Sequence, residues 1–467
     1  MSAKNETIAE KLFLIHIIFL VYITMILIFG VPLIDVLIIS ISYLGLYYLL
    51  TPIIDRKSNA IKPLTLLPIM FVMYALGPLL YQNLYDSKVI VNYLFINLLG
   101  LVFLILGLKS VRMKDSNDIG VKADKLDIQA LKLVVYIFLL ISMLSVVSEV
   151  LAFGGLKQML AAGYGLDRIN ILKDSVVIGG GFQWLILSGI VTWYYGYKTK
   201  EKLFQVVGVL VSVFSLFVLL IIGARSTIIY SVIFLLVLYS YDVKKVKIVP
   251  LVVVFSFGIG LAQLYSNARY YFPEGLESTI NNSIRMVTVD PGAYLPIPKN
   301  ISEFISPVRS LLDVLTNSPD VRFYGQSYIN AIGAPIPYLA RFFVKYGVEI
   351  NDWFLSTQHP DVFASGAGLG FSPVTEGYLN FGYIGVALHM FIYGWAASKV
   401  YAAYVKHQNI LTLFLLAGTL PIFFLDALRI HLTSSLYKIS RIYLVPMFLY
   451  WIVRYVLPKI VNYRRKS

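Results

Sequence analysis

The chain has no cysteine among its 467 residues, and only five histidines. Disulfides, thiolate metal sites and a cysteine nucleophile are therefore excluded. The histidines (His16, His359, His389, His407 and His431) never approach the spacing of metal ligands. Charge is scarce as well. Asp, Glu, Lys and Arg make up 14% of the residues against 58% hydrophobic, where a soluble domain carries roughly 25% charged residues. That is too little charge for a water-exposed surface. Nucleotide-binding signatures are missing too. There is no G-x-x-x-x-G-K-[ST] loop, and no G-x-G-x-x-G follows a plausible strand. "IGGGFQ" at 178–183 is glycine-rich but opens an apolar run, where helix packing is the simpler role. The net charge of +14 does not signal nucleic acid, because the basic residues are scattered between apolar runs.

What is present is a series of apolar runs, several long enough to cross a bilayer as helix, which takes about 20 residues. The pattern predicts an all-α polytopic membrane protein of twelve spans, at roughly 12–29, 33–51, 63–80, 89–108, 131–151, 178–197, 203–222, 226–241, 246–265, 376–398, 409–427 and 442–458. The first run is full length and no small-residue cleavage site follows it, so no cleavable signal is expected. "FGVP" at 29–32 and "IGARS" at 222–226 split tight helical hairpins. Three regions follow: spans one to nine within 1–265, with a loop at about 152–177; a long loop at 266–375; and the last three spans with a basic tail at 376–467. A loop of that length is usually functional. Short amphipathic helices are expected in it around 302–316 and 336–346. No internal repeat is visible.

Orientation follows from Lys and Arg in short loops. The segments 52–62, 109–132, 198–202 and 242–247 and the tail ending in "RRKS" are basic and fall on one side, which is therefore cytoplasmic, with both termini. The two cations then divide unequally. Nineteen lysines are cytoplasmic and six external, whereas five arginines are cytoplasmic and nine external: Arg168, Arg225, Arg269, Arg285, Arg309, Arg322, Arg341, Arg429 and Arg441. Arginine suits places where phosphate or carboxylate is gripped by two parallel hydrogen bonds. Acids of the same loops can pair with several of these arginines. Arg225, in "LLIIGARSTIIYSV", has no acid near it in sequence. It falls at the start of the eighth span, where free backbone N–H groups and the helix dipole favour an anion. Snorkelling to the interface is the alternative.

A chain without a nucleotide pocket must use a substrate that is already activated. A lipid-linked diphosphate sugar fits, with arginines holding the diphosphate as leaving group and one base taking a proton from a sugar hydroxyl. Glu376 is one candidate base. It has a structural alternative, with Ser372 as N-cap, Pro373 as first helical residue and Glu376 as an acid matched to the helix dipole. His359 in "STQHPDVF" is the second. His431 is the third, among Asp426, Arg429 and Arg441, where an anion site is plausible. His389 lies mid-helix and reads as packing. The external tyrosines, Tyr324 and Tyr378 among them, suit stacking on sugar rings and equally an interfacial belt.

Four stretches resemble the O-antigen polymerases, a family that includes the enterobacterial common antigen polymerases. They are "GGLKQMLAAGYGLDRINI" at 154–171, "GARSTIIYS" at 223–231, "YGQSYINAIGAPIP" at 324–337 and "GLGFSPVTEGYLNFGYIG" at 368–385. The family's R-x10-G pattern fits Arg168 with Gly179 and Arg322 with Gly333. The second loop departs from the family's frequent "iPR": Arg341 stands four residues after Pro337.

The resemblance implies a GT-C-like, lipid-utilising glycosyltransferase of the bacterial inner membrane, with its active site facing the periplasm. It implies transfer of a growing glycan from undecaprenyl diphosphate to the non-reducing end of a new lipid-linked repeat unit. Donor and acceptor are then both lipid-linked oligosaccharides, without metal or nucleotide, and a separate co-polymerase acts in chain-length control. Glu376 would stand at the external mouth, beneath the long loop, within reach of an acceptor hydroxyl. The expected site is Arg225 with one or more of Arg168, Arg269, Arg322, Arg341, Arg429 and Arg441 on the diphosphate, and Glu376 or His359 on the acceptor. An O-antigen ligase and a lipid-linked oligosaccharide flippase are the competing readings.

Overall fold

The computed structural model describes residues 32–54, 61–76, 85–111, 120–162, 179–222, 224–247, 302–336, 342–343, 345–364 and 368–458. Among them every regular element is a helix. In chain order these are α1 (Leu33–Ile54), α2 (Pro63–Leu76), α3 (Ser87–Lys109), α4 (Lys125–Ala152), α5 (Leu156–Ala162), α6 (Phe182–Thr199), α7 (Lys202–Ile221), α8 (Arg225–Asp242), α9 (Ser302–Asn317), α10 (Gln326–Gly333), α11 (Ile350–Gln358), α12 (Pro360–Ala364), α13 (Pro373–His407), α14 (Ile410–Arg429), α15 (Leu432–Lys438) and α16 (Val445–Trp451). The expected spans at 12–29 and 246–265, and loop residues 266–301, lie outside the described residues. Each of the other ten expected spans coincides with a helix. By length and composition, α3, α4 and Lys202–Leu220 of α7 can each cross a membrane, as can the bent pair Leu432–Tyr443 and Val445–Val456.

Helix starts follow local chemistry. Asp86 caps α3 by accepting from the Lys88 N–H at 2.7 Å. A capping box opens α4, in which Asp124 accepts from the Asp127 N–H at 2.6 Å and Asp127 from the Asp124 N–H at 3.0 Å. Each satisfies backbone donors that the first turn leaves without partners. Small residues then set how closely helices approach. A Cβ on Gly107 of α3 would lie 2.1 Å from the Phe391 carbonyl oxygen, and one on Gly394 of α13 2.2 Å from that of Leu104. The α3–α13 crossing is thus a backbone-to-backbone contact that no larger residue allows.

The four basic loops meet at one end of the bundle. Asp242 accepts from the Val121 N–H at 2.6 Å and the Tyr194 hydroxyl at 2.7 Å, and pairs with Lys198 at 3.0 Å. The Tyr241 hydroxyl donates to the Ile61 carbonyl, and the Lys122 N–H to the Gln408 carbonyl at 2.8 Å. Arg454, near the tail, joins the same end through Asp127 at 2.7 Å and Asp124 at 3.0 Å. Segments grouped by charge alone are therefore spatial neighbours.

Two local expectations change. Residues 428–441, between the last two expected spans, are mostly helix: α15 continues through a π-turn at Ile439–Tyr443 and, after Leu444, into α16, with a 50° bend. Lys438 does not stop this helix, because Asp426 (0% exposed) neutralises it at 3.1 Å. The expected helix at 302–316 corresponds to α9, whereas most of 336–346 lies outside the described residues. The loop helices α10 and α11 were not anticipated; both are too short for a clear 3.6-residue period.

Candidate functional site

α13 begins at Ser372, whose side chain accepts from the Val374 N–H at 3.2 Å, with Pro373 in the first turn. Two turns later the helix breaks. Phe381 has φ −140° and ψ 27°, and Gly382 has φ 61° and ψ −142°, a conformation that only glycine adopts readily. The break frees the carbonyls one turn before it. The long loop takes them up: the Phe323 N–H donates to the Leu379 oxygen at 2.8 Å, and the Tyr324 N–H to the Asn380 oxygen at 3.2 Å. The Gly325 N–H donates to Asn380 Oδ1 at 2.9 Å. This docks α10 against the first segment of α13.

Glu376 lies at that junction and is fully buried, at 0% exposed. Ser327 Oγ of α10 donates to its Oε1 at 2.8 Å, and the Leu432 N–H, from the start of α15, donates to its Oε2 at 2.7 Å. Asn380 Nδ2 donates to Ser327 Oγ and to the Glu376 carbonyl, each at 2.8 Å. Glu376 meets α10 through Ser327, and the open mouth expected around it is not what surrounds it. Both carboxylate oxygens are occupied, and the side chain bridges the loop, α13 and α15.

Three of the expected arginines adjoin the same junction. The Arg322 guanidinium sits 4.5 Å over the Tyr378 ring, and its Nη1 donates to the Pro319 and Val321 carbonyls at 2.8 and 2.6 Å. Arg441 Nε donates to the Ala334 carbonyl, just after α10, at 3.1 Å, and its guanidinium lies 4.7 Å over Tyr437. The Arg429 carbonyl accepts from the Phe371 N–H at 2.9 Å. Tyr324 is 76% exposed and Tyr378 is buried. Arg225 opens α8, as the sequence predicts; its side chain is not described. Arg168, Arg269 and Arg341 lie outside the described residues.

His431, the residue before α15, has Nε2 3.5 Å from Glu349 Oε1. Burial, then the nearby Lys438 charge, lowers the His431 pKa to about 4. Burial, then repulsion from Asp352, raises that of Glu349 to about 7. The imidazole is therefore neutral at pH 7, and the contact is a polar one between a neutral ring and a carboxyl rather than an ion pair. Several buried polar atoms here have no partner among the described residues: both side-chain polar atoms of Asn330, Nε2 of His389 and Nδ1 of His431. His389 is buried packing, as expected, and its Nδ1 lies 3.0 Å from the Tyr328 hydroxyl.

His359 follows α11 and is partly buried. Its Nε2 lies 2.9 Å from Asp313 Oδ2 of α9, and its ring meets Phe354 edge-on at 5.3 Å. The chain from Phe354 to Phe371 (5.4 Å between rings) connects it to the Arg429 backbone. Sequence reasoning counted Asp313 and Glu349 only among the acids that can pair with arginines, as Asp313 does with Arg309, and missed Tyr230 and Lys438. The last two share the buried Asp426: the Tyr230 hydroxyl donates to it, and Lys438 lies 3.1 Å away. Among the described residues no cluster of three His, Asp or Glu side chains could hold a metal ion.

Residues 12–459 match the family model described as O-antigen polysaccharide polymerase Wzy. The match spans nearly the whole chain, and the chain belongs to that family, whose members are glycosyltransferase-type polymerases of O-antigen repeat units. Nothing matches among curated proteins or among solved structures.

Proposed function

We propose that the protein polymerises undecaprenyl-diphosphate-linked repeat units on the external face of the inner membrane. The growing glycan passes to the non-reducing end of a new lipid-linked unit, without metal or nucleotide. The observation that carries this reading is the family match over residues 12–459. The clustering of all four basic loops at one bundle end supports the orientation, since it leaves the arginine-bearing loops at the other.

In this reading Arg225 binds the diphosphate with some of Arg168, Arg269, Arg322, Arg341, Arg429 and Arg441, and neutralises it as it leaves. Of the two candidate bases, access favours His359. Glu376 is closed off by Ser327 and Leu432, and its part is to hold the long loop onto α13 and α15. Tyr324 supplies an exposed ring for sugar stacking.

The test uses the purified protein in lipid nanodiscs with its own lipid-diphosphate-linked repeat unit and a chelator. A ladder of products is expected. Transfer only when a lipid A core acceptor is added would make it a ligase. Movement of substrate across the bilayer with no transfer would make it a transporter.

A further inference from the structure

We propose that Asp313 is the positioning residue for His359, holding it as the general base that accepts the acceptor hydroxyl proton. The inference rests on the polymerase reading. Asp313 is 5% exposed, yet three residues converge on it, two of them from other segments. His359 Nε2 is 2.9 Å from Oδ2, the Tyr85 hydroxyl donates to Oδ1 at 3.1 Å, and Arg309, one turn earlier on α9, approaches at 3.4 Å. Arg309 is half exposed, so its guanidinium can offset the Asp313 charge and still reach an anion.

The chemistry follows from this geometry. An ionised carboxylate only accepts hydrogen bonds. Asp313 therefore fixes the proton of neutral His359 on Nε2 and leaves a lone pair on Nδ1. Nδ1 is neither buried nor bonded among the described residues, and the side chain is 18% exposed. Asp313 also stabilises the imidazolium that forms when Nδ1 takes a proton. The place in the fold fits. Ser310, three residues before Asp313, lies 2.9 Å from Thr375, the neighbour of Glu376. The pair thus stands about one helical turn from the junction where the arginines gather.

In the step itself, the acceptor hydroxyl oxygen forms a bond to the anomeric carbon of the donor glycan. The bond from that carbon to the diphosphate oxygen breaks, and its electron pair leaves with the lipid diphosphate, held by the arginines. The hydroxyl proton goes to His359 Nδ1 and then to water. No oxidant, reductant or further reactant is needed.

A bland alternative is that Asp313 only ties α9 to α11. The experiment separates the two by measuring kcat, KM and pH–rate profiles of the full-length protein in nanodiscs. Asp313→Asn keeps the side-chain shape but can donate to Nε2, which moves the lone pair to the wrong nitrogen. It should lower kcat by about 10²-fold or more with little change in KM. It should also change the pH–rate profile, because the charge beside the imidazole is lost. Arg309, Tyr85 and Asp313 are the ionisable groups facing His359 from neighbouring segments, with Asp352 and Asp361 on its own stretch; only Asp313 is altered. His359→Ala should lose as much, and the double variant no more. Asp313→Glu should recover part of the rate. As a folding control, Asn317→Ala removes a 2.9 Å bond to Gln358 that joins the same two helices, and should leave rate and profile unchanged. A wild-type rate and profile in Asp313→Asn, or a matching loss in Asn317→Ala, would overturn the assignment while the polymerase reading stands. No polymer from the wild-type protein would overturn both.

Discussion

At the end of the bundle where the basic loops meet, Asp242 has a backbone N–H, a phenol and an ammonium as partners within 2.6–3.1 Å. Asp127 likewise holds both Tyr450 and Arg454. At the other end, Asn330, His389 and His431 keep buried polar atoms that nothing among the described residues satisfies, and the sequence expectation gives nine arginines and six lysines to the segments on that side. Buried polar groups are normally paired, so unpaired ones need a reason. The difference separates two jobs. Fully paired charges fasten helices together. Buried groups left short of partners suit a ligand rich in hydroxyls.

That comparison can be broken in order of expected effect. Arg225→Ala should reduce polymerisation by about 10²–10³-fold, the scale of losing one preorganised donor to a leaving charge. Arg225→Lys should recover little, since a point charge replaces a two-pronged donor; wild-type chain lengths from both variants would remove Arg225 from the site. Asp242→Ala should act on the other side of the comparison. It strands Lys198 and should lower stability by about 3 kcal/mol, with activity per folded molecule retained. A variant that stays stable but inactive would show that the paired end is not merely structural.

Glu376→Ala removes the acceptor for Ser327 and Leu432 and should cost about 2 kcal/mol. It should also loosen 323–333, read as faster amide hydrogen exchange there. Unchanged exchange would mean that Glu376 does not hold the loop.

The smallest effect is in pH dependence. Glu349 has its folded pKa raised to about 7, so the folded protein binds the extra proton between roughly pH 4.3 and 7 and loses stability as pH rises through that window. His431, lowered to about 4, has the opposite sign: its contribution is present above about pH 6.5 and is lost as pH falls toward 4. The two partly cancel. Glu349→Gln should remove its falling contribution, so that stability rises more steeply with pH than in the wild type between about pH 4.3 and 7. A profile identical to wild type would mean that Glu349 is not held in a raised state.

Much of the scaffold was legible in the sequence because it depends on neighbours along the chain. Ser372 and Pro373 start α13, because capping chemistry and proline geometry act within a turn. The break at Gly382 was not legible. "NFGYIG" reads as continuous helix until Phe323 and Tyr324 arrive to take the freed carbonyls. The extension of α15 through Lys438 was hidden for the same reason, since Asp426, its counter-charge, belongs to another helix.

By itself the sequence determined a helical, membrane-suited chain, the grouping of its basic loops and the family. Each of these is set by composition, period and short motifs. Only the tertiary structure decided which acids are reachable. Glu376 is sealed by residues 49 and 56 positions away, and His359 gains Asp313 from 46 positions away. A side chain's access and protonation depend on what packs against it, and contacts at such separations leave no periodic trace in the chain.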